Sequence, residues 1–287
     1  MLDRVIDNFG MQIQSMNEVE DSFSSTVYKC KLVNSQTVFF KIPYSKLKYQ
    51  RELEAYRILS GKVAVPELLD FWSGDDECPG AFLLSELKGS PLTAEVSPNV
   101  AYDVGVLHAS MHNIQPPDKH MLTGIKNEFP SWTSFLENQF YSFAEDVEGV
   151  MDKHTYNLAI KKFEKMKRQL PSPDGPSFIH MDFRPANIIV DGEEVSGIID
   201  FESVRFGSTE IDFTKLYRDF LQFDDSIYKA FQEGYNSIRP LMDLGSVLPF
   251  YRFTDAFNSI GWCKRRGTEK NALFLEENIR LLKQFVL

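Results

Sequence analysis

Polar and apolar residues alternate from Thr26 to Val33, the period of a half-buried strand. Asn34-Ser35 marks a turn, and Thr37 to Ile42 reads as the partner strand. Leu47 to Leu59 switches to a helical pattern with Leu53, Tyr56 and Leu59/Ser60 on one side, and Gly61 fits its C-terminal cap. Val65-Pro66 leads into a strand over Leu68 to Trp72, a charged turn covers Ser73 to Glu77, and Ala81 to Leu87 is a further strand. From Pro98 the pattern turns helical, with Val100, Val104, Leu107 and Met111 on one stripe. Helical patterns fill 131–169 with a break at Gly149, and a Pro/Gly-rich connection spans Ser172 to Pro176. Helices dominate after Asp212. The pattern predicts an α+β chain of two lobes: residues 1–88 form an antiparallel sheet with one helix, and residues 89–287 form a larger, mainly helical lobe.

Composition adds bounds to that picture. At 287 residues the chain is long for one core and short for three domains, and 43% hydrophobic content with 24 Phe supplies a core. No apolar run approaches the ~18 residues of a spanning helix, so no membrane partner is expected. Met1 to Gly10 carries no apolar signal region. Cys30, Cys78 and Cys263 are few, odd in number and widely spaced. They predict reduced thiols in a cytoplasmic protein, without a zinc framework. A net charge of −10 argues against a nucleic-acid partner. The acid excess is concentrated: residues 180–212 hold 8 acids and 2 bases, whereas 213–287 hold 9 acids and 11 bases. A monomer or weak dimer is expected.

The densest chemistry lies in that acidic stretch. His180-Met181-Asp182-Phe183-Arg184-Pro185-Ala186-Asn187 is followed by Asp200-Phe201-Glu202. Ile188 to Val190 reads as a short strand, Asp191-Gly192 as a hairpin turn, and Val195 to Ile199 as the returning strand. Such a hairpin sets Asn187 beside Asp200 at its open end. An Asp able to accept a hydroxyl proton, then an Asn and an Asp able to hold Mg2+, is the set that phosphoryl transfer from ATP needs.

With these residues in this order, the chain resembles the aminoglycoside phosphotransferase and choline kinase branch of the protein-kinase-like fold. The likeness runs in motif order through residues 20–215, and the C-terminal helices match in general character. The resemblance implies that Asp182 is the base or the hydroxyl-orienting group, that Asn187 and Asp200 are the magnesium ligands, and that His180 braces the loop. Members of the family usually have Gly where this chain has Met181. Arg184 stands where protein kinases often have Lys and many antibiotic kinases His. It is read either as a clamp on the transferred phosphoryl group or as a surface Arg paired with a carboxylate. Lys41 matches the lysine that contacts the nucleotide phosphates. Glu52 fits its partner best by spacing, with Glu54, roughly 200° round the helix, as the alternative. The Ser85 carbonyl and the Leu87 N–H match the hinge that binds adenine. The stretch Glu20 to Thr26 matches the phosphate-covering loop but has no glycine, so Ser24 and Ser25 are its candidate donors. Asp212 is read as a support for the loop, and Glu202 as either a helper of magnesium or a solvent-facing acid.

Asp212 follows Asp200 by only twelve positions, and no A-P-E string follows. That is too short for the peptide platform of a protein kinase. A hydroxyl of a small molecule is therefore the expected acceptor. An aminoglycoside-type antibiotic comes first, a choline, homoserine or sugar type second, and a catalytically silent scaffold third. Asp224, Asp225, Glu233, Asp255, Glu269, Glu276 and Glu277 are the acids that could line an aminoglycoside pocket. Tyr251, Phe257 and Trp262 either enclose a choline-like cation or fill the core. His108 and His112 have helical metal-pair spacing, but Ala109 replaces the Glu of H-E-x-x-H. Lys264-Arg265-Arg266 reads as a solvated helix end.

Overall fold

The computed structural model describes residues 2–20, 25–118 and 122–287. Its first part is a five-stranded antiparallel sheet in the order β1-β2-β3-β5-β4, built from Ile13–Glu18, Ser25–Leu32, Thr37–Pro43, Ala81–Ser85 and Leu68–Trp72 respectively. Helix α1 (Leu2–Phe9) covers one face and α2 (Lys46–Leu59) the other. Strand alternation sorts the side chains. Val38, Phe40 and Ile42 of β3 join Val5 of α1 with Cys30, Ala81 and Leu83. On the opposite face Phe82 and Leu84 of β5 join Ala55, Tyr56 and Leu59 of α2. Lys41 therefore points toward α2, into the region where the first part meets the second.

Helix α1 and strand β1 are not apparent in the hydrophobic pattern. Strand β1 is an edge strand in which the half-buried Ile13 and Met16 lie three residues apart, and its register slips between Ile13 and Ser15. The irregular strand breaks the alternation that would reveal it. Helix α2 also differs from its predicted face. Its buried side includes Arg51 and Glu52 beside Tyr49, Ala55, Tyr56 and Leu59, while Leu53 is half-buried. A hydrophobic stripe cannot reveal a buried charge.

The second part is mainly helical. A short strand β6 (Ser90–Pro91) precedes α3 (Pro98–His112), which is capped by Ser97 and starts with proline. Its predicted stripe, Val100, Val104, Leu107 and Met111, is buried. Helices α4 (Trp132–Ser142), α5 (Ala144–Glu148) and α6 (Lys153–Lys167) follow, and then β7 (Ser177–Ile179). The predicted hairpin forms from β8 (Ile188–Asp191) and β9 (Glu194–Ile198), with Gly192 at φ 61 in its turn. Strand β10 (Arg205–Gly207) pairs with β7. Helices α7 (Phe213–Asp219), α8 (Asp225–Asn236), α9 (Leu244–Arg266) and α10 (Ala272–Val286) complete the chain.

Phenylalanine supplies much of this core. The Phe140 ring stacks between those of Phe163 and Phe257, with centroids 3.9 Å away on each side. Helices α3 and α8 approach through glycine. A Cβ on Gly105 would lie 2.2 Å from the Phe231 carbonyl oxygen, and one on Gly234 would lie 2.0 Å from the Tyr102 carbonyl oxygen. No helix among the described residues is long and apolar enough to cross a membrane.

Candidate active site

The hairpin brings the two ends of the acidic stretch together. The Ile199 N–H donates to the Asn187 carbonyl at 3.0 Å, which sets Asp200 beside Asn187 at the open end. Asn187 Nδ2 donates to the Asp182 carbonyl at 2.9 Å and to Asp182 Oδ2 at 3.2 Å. This turns the amide nitrogen toward Asp182 and leaves the amide oxygen for a cation. Asp200 uses Oδ1 to accept from Lys41 at 2.7 Å, and its second oxygen is the other donor for a cation. Two hard oxygen donors at one hairpin end fit Mg2+, which otherwise takes water and phosphate oxygens.

Lys41 Nζ lies 2.7 Å from both Glu52 Oε1 and Asp200 Oδ1. Burial opposes its charge, but the two carboxylates outweigh that cost and raise its pKa well above the usual lysine value. Burial pushes the Glu52 carboxyl up to about 7 against the pull of Lys41. Asp200 is held below the ordinary aspartate value, because Lys41 overcomes its desolvation. Glu54, the alternative partner, faces elsewhere. Its carboxylate accepts from the Thr123, Gly124 and Ile125 N–H groups and ties α2 to that loop. Those bonds outweigh partial burial and lower its pKa.

The loop before the hairpin is braced from several sides. Asp212 accepts the His180 N–H at 2.5 Å and the Met181 N–H at 2.7 Å. His180 Nε2 lies 3.0 Å from the Ile199 carbonyl, so the ring links loop to hairpin. Met181, in the place of the usual glycine, has φ 67, and Asp200 has φ 71. The left-handed region costs a non-glycine residue about 1–2 kcal/mol, which the two Asp212 bonds offset at Met181.

His108 and His112 gather with Asp212, all three buried. His112 Nδ1 meets the Tyr235 hydroxyl at 2.9 Å, and the His108 ring stacks on Phe183 at 3.8 Å. Desolvation holds both imidazoles below the usual histidine pKa. His112 Nε2 also lies 3.4 Å from Asp212 Oδ2, so this ring packs beneath the loop against the aspartate that holds the loop N–H groups.

The remaining sequence candidates sit as follows. Ser24 lies outside the described residues. Ser25 opens β2, buried in the sheet opposite Pro43 rather than on the loop tip. Ser85 ends β5, and its hydroxyl accepts the Glu67 N–H at 2.8 Å. Leu87 lies just beyond, against the β9 residue Gly197. Glu202 is 8% exposed and pairs with Lys48 at 3.1 Å, so it does not face solvent. Arg184 Nε lies 3.2 Å from Asp182 Oδ2.

This arrangement accompanies a family match. The model of the phosphotransferase enzyme family covers residues 15–249. The chain belongs to that family.

This phosphotransferase is 26% identical over 213 residues to a homoserine kinase of Neisseria meningitidis serogroup B (strain ATCC BAA-335 / MC58), a match that covers 71% of this chain and 67% of the relative. Its fold resembles that of the aminoglycoside phosphotransferase APH(2″)-IIIa in a complex with GDP and kanamycin. The TM-score is 0.79 at 15% identity, over 99% of this chain and 97% of the other. A thermostable mutant of aminoglycoside phosphotransferase APH(4)-Ia, in a ternary complex with AMP-PNP and hygromycin B, superposes with a TM-score of 0.72 at 13% identity, over 99% and 97% of the two chains. The two-lobed α+β fold read from the pattern, and implied by the resemblance to be protein-kinase-like, is the one these structures share.

One residue beside Asp182 escaped the sequence reading. Lys215 of α7 donates to Asp182 Oδ1 at 2.5 Å. Its helix starts just after Asp212, and no spacing rule links it to a residue 33 positions earlier. Three of the seven candidate acids of the C-terminal segment have partners of their own in this phosphotransferase. Asp224 caps α8, Glu233 pairs with Lys229, and Asp255 pairs with Arg218 at 2.6 Å. Phe257 and Tyr251 are core residues, and the Tyr251 hydroxyl accepts from Trp132 Nε1 at 3.0 Å. Trp262 packs half-buried against the same core.

Proposed function

We propose that the protein transfers the γ-phosphoryl group of ATP, with magnesium, to a hydroxyl group of a small molecule. The observation that carries this reading is the meeting of Asp182, Asn187 and Asp200 at one hairpin end with Lys41, which comes from a strand 159 positions away from Asp200. Asp182 orients the acceptor hydroxyl and takes its proton as the oxygen attacks phosphorus. Lys41, steadied by Glu52, holds the phosphates of the nucleotide. Asn187 and Asp200 hold Mg2+, which neutralises phosphate charge. Ser85 and Leu87 offer backbone groups to adenine, Ser24 and Ser25 are the phosphate donors read from the sequence, and Arg184 clamps the transferred group. Nucleotide complexes of the structural neighbours, with GDP and AMP-PNP, support the nucleotide half of this reading.

An aminoglycoside-type acceptor is the first reading, supported by the neighbours that hold kanamycin and hygromycin B. A second reading, a hydroxylated metabolite of homoserine type, is favoured by the homoserine kinase relative and by the acceptor-side charges. Lys215 and Arg184 flank Asp182, and Asp255 is already neutralised by Arg218. A polycation gains little from such a surface.

The test is ATP consumption by purified protein with aminoglycosides, choline, homoserine and sugars side by side, in wild type and Asp182→Asn. Turnover of one acceptor that is lost in the variant supports the proposal. Equal turnover in both proteins refutes it.

A further inference from the structure

We propose that Lys215 is a further catalytic residue: its ammonium, held on Asp182 in the free protein, moves onto the phosphoryl group in flight once the acceptor hydroxyl occupies Asp182. This rests on the phosphotransferase reading above and adds a group to the same site.

Three observations carry it. First, Lys215 Nζ occupies Asp182 Oδ1 at 2.5 Å, while Asn187 and Arg184 engage Oδ2. Oδ1 is therefore the oxygen that an incoming hydroxyl has to claim, and the ammonium must yield it. An acceptor oxygen hydrogen-bonded there would lie within about 6 Å of the present Nζ position.

Second, apart from Arg184, which sits on the far oxygen of Asp182, the other cations around the site have anionic or carbonyl partners that do not react. Lys41 is bound to Glu52 and Asp200, and Lys48 to Glu202. Arg51 donates to the Glu202 and Gly124 carbonyls, and Arg218 is held by Asp219 and Asp255. Lys215 is paired to the reacting carboxylate itself. When Asp182 accepts the hydroxyl proton, that carboxylate loses its charge, and the ammonium needs another anion. The phosphoryl oxygens, which carry the charge of a dissociative transition state, are the anion at hand.

Third, the backbone of Lys215 is fixed to the loop it serves. Asp212, three residues before it, holds the His180 and Met181 N–H groups. The start of α7 thus keeps its place relative to Asp182, while the lysine stem, with its side chain 32% exposed, is free to swing by a few ångströms.

In the step itself, the bond from acceptor oxygen to γ-phosphorus forms as the bond from γ-phosphorus to the bridging oxygen breaks. ADP leaves with that electron pair, the hydroxyl proton passes to Asp182, and Lys215 keeps its three protons throughout. A charge that meets the phosphoryl group only during transfer stabilises the transition state more than the bound nucleotide.

That distinction gives a test which needs no knowledge of the acceptor. The dissociation constants of Mg-ADP and of Mg-ADP with aluminium fluoride, a mimic of the phosphoryl group in flight, are measured for wild type, Lys215→Met and Lys215→Arg. Thermal melting of each variant checks that it folds. Lys215→Met should bind ADP within about threefold of wild type, yet lose roughly 100-fold in affinity for the fluoride complex. Lys215→Arg should recover part of that loss. Unchanged affinity for the fluoride complex in Lys215→Met overturns the assignment, as does an equal loss for ADP alone. A wild-type protein that gains no affinity from fluoride defeats the phosphotransferase reading as well. Failure confined to the Lys215→Met comparison defeats this assignment alone.

Discussion

Lys41 and Glu52 meet across the gap between β3 and α2 at 2.7 Å, with Glu52 fully buried. Glu54, two residues on, turns instead to the 123–125 loop and accepts from three of its backbone N–H groups. One helix thus carries two carboxylates of different consequence. Glu52→Gln should lower kcat about 100-fold through a misplaced Lys41, with a smaller effect on unfolding. Glu54→Gln should leave kcat near wild type and cost about 1–3 kcal/mol of stability. Steady-state kinetics and urea unfolding of the two variants separate these outcomes.

The contact between α3 and α8 depends on the absence of side chains at Gly105 and Gly234. Each Cβ would come within 2.2 Å of a carbonyl oxygen on the opposing helix. Gly105→Ala and Gly234→Ala should each destabilise by about 1–3 kcal/mol or more, because backbone rather than a flexible side chain must move. Gly149→Ala is the control, since its nearest neighbour would lie at an ordinary 3.5 Å. Chemical denaturation checks all three.

The buried histidines predict how stability follows pH. Desolvation depresses the pKa of His108 and His112 in the folded state. The unfolded chain then binds protons that the folded chain does not, so stability is full above about pH 6.5 and falls as the pH drops below it. The Glu52 and Glu210 carboxyls, pushed by burial up to about 7, act in the opposite sense over the same range, so the histidine contribution is read as the difference in urea midpoints between wild type and His108→Phe from pH 7.5 to 5.5. His108→Phe keeps a ring against Phe183 and should make the decline shallower.

Asp200 gives one oxygen to Lys41 and retains the other. Asp200→Ala should abolish the magnesium-dependent part of ATP binding, leaving only the weak affinity seen with chelator present. Calorimetric titration with and without Mg2+ reads this directly.

Much of this site was legible because its signals are local. The Ile188–Val190 run, the Asp191-Gly192 turn and Val195–Ile199 specify a hairpin within a dozen residues, and the hairpin alone brings Asn187 to Asp200. Lys41 and Glu52 were legible as a pair only through resemblance, and the packing of α2 was needed to separate Glu52 from Glu54. Lys215 left no signal. It looks like any polar helix residue, and its meaning comes from the Asp212 bonds that fix α7 under the loop. For the acceptor-side acids, composition counts charges without their partners: Asp255 has Arg218, a pairing that only the fold reveals.

The most direct measurement of the central claim is phosphate transfer by Asp182→Asn beside its ATP affinity. The variant keeps the volume of Asp182 but cannot take a proton. Transfer to the best acceptor should fall by roughly 100-fold or more, while the ATP dissociation constant stays within a few fold. Normal turnover in purified Asp182→Asn would contradict the account.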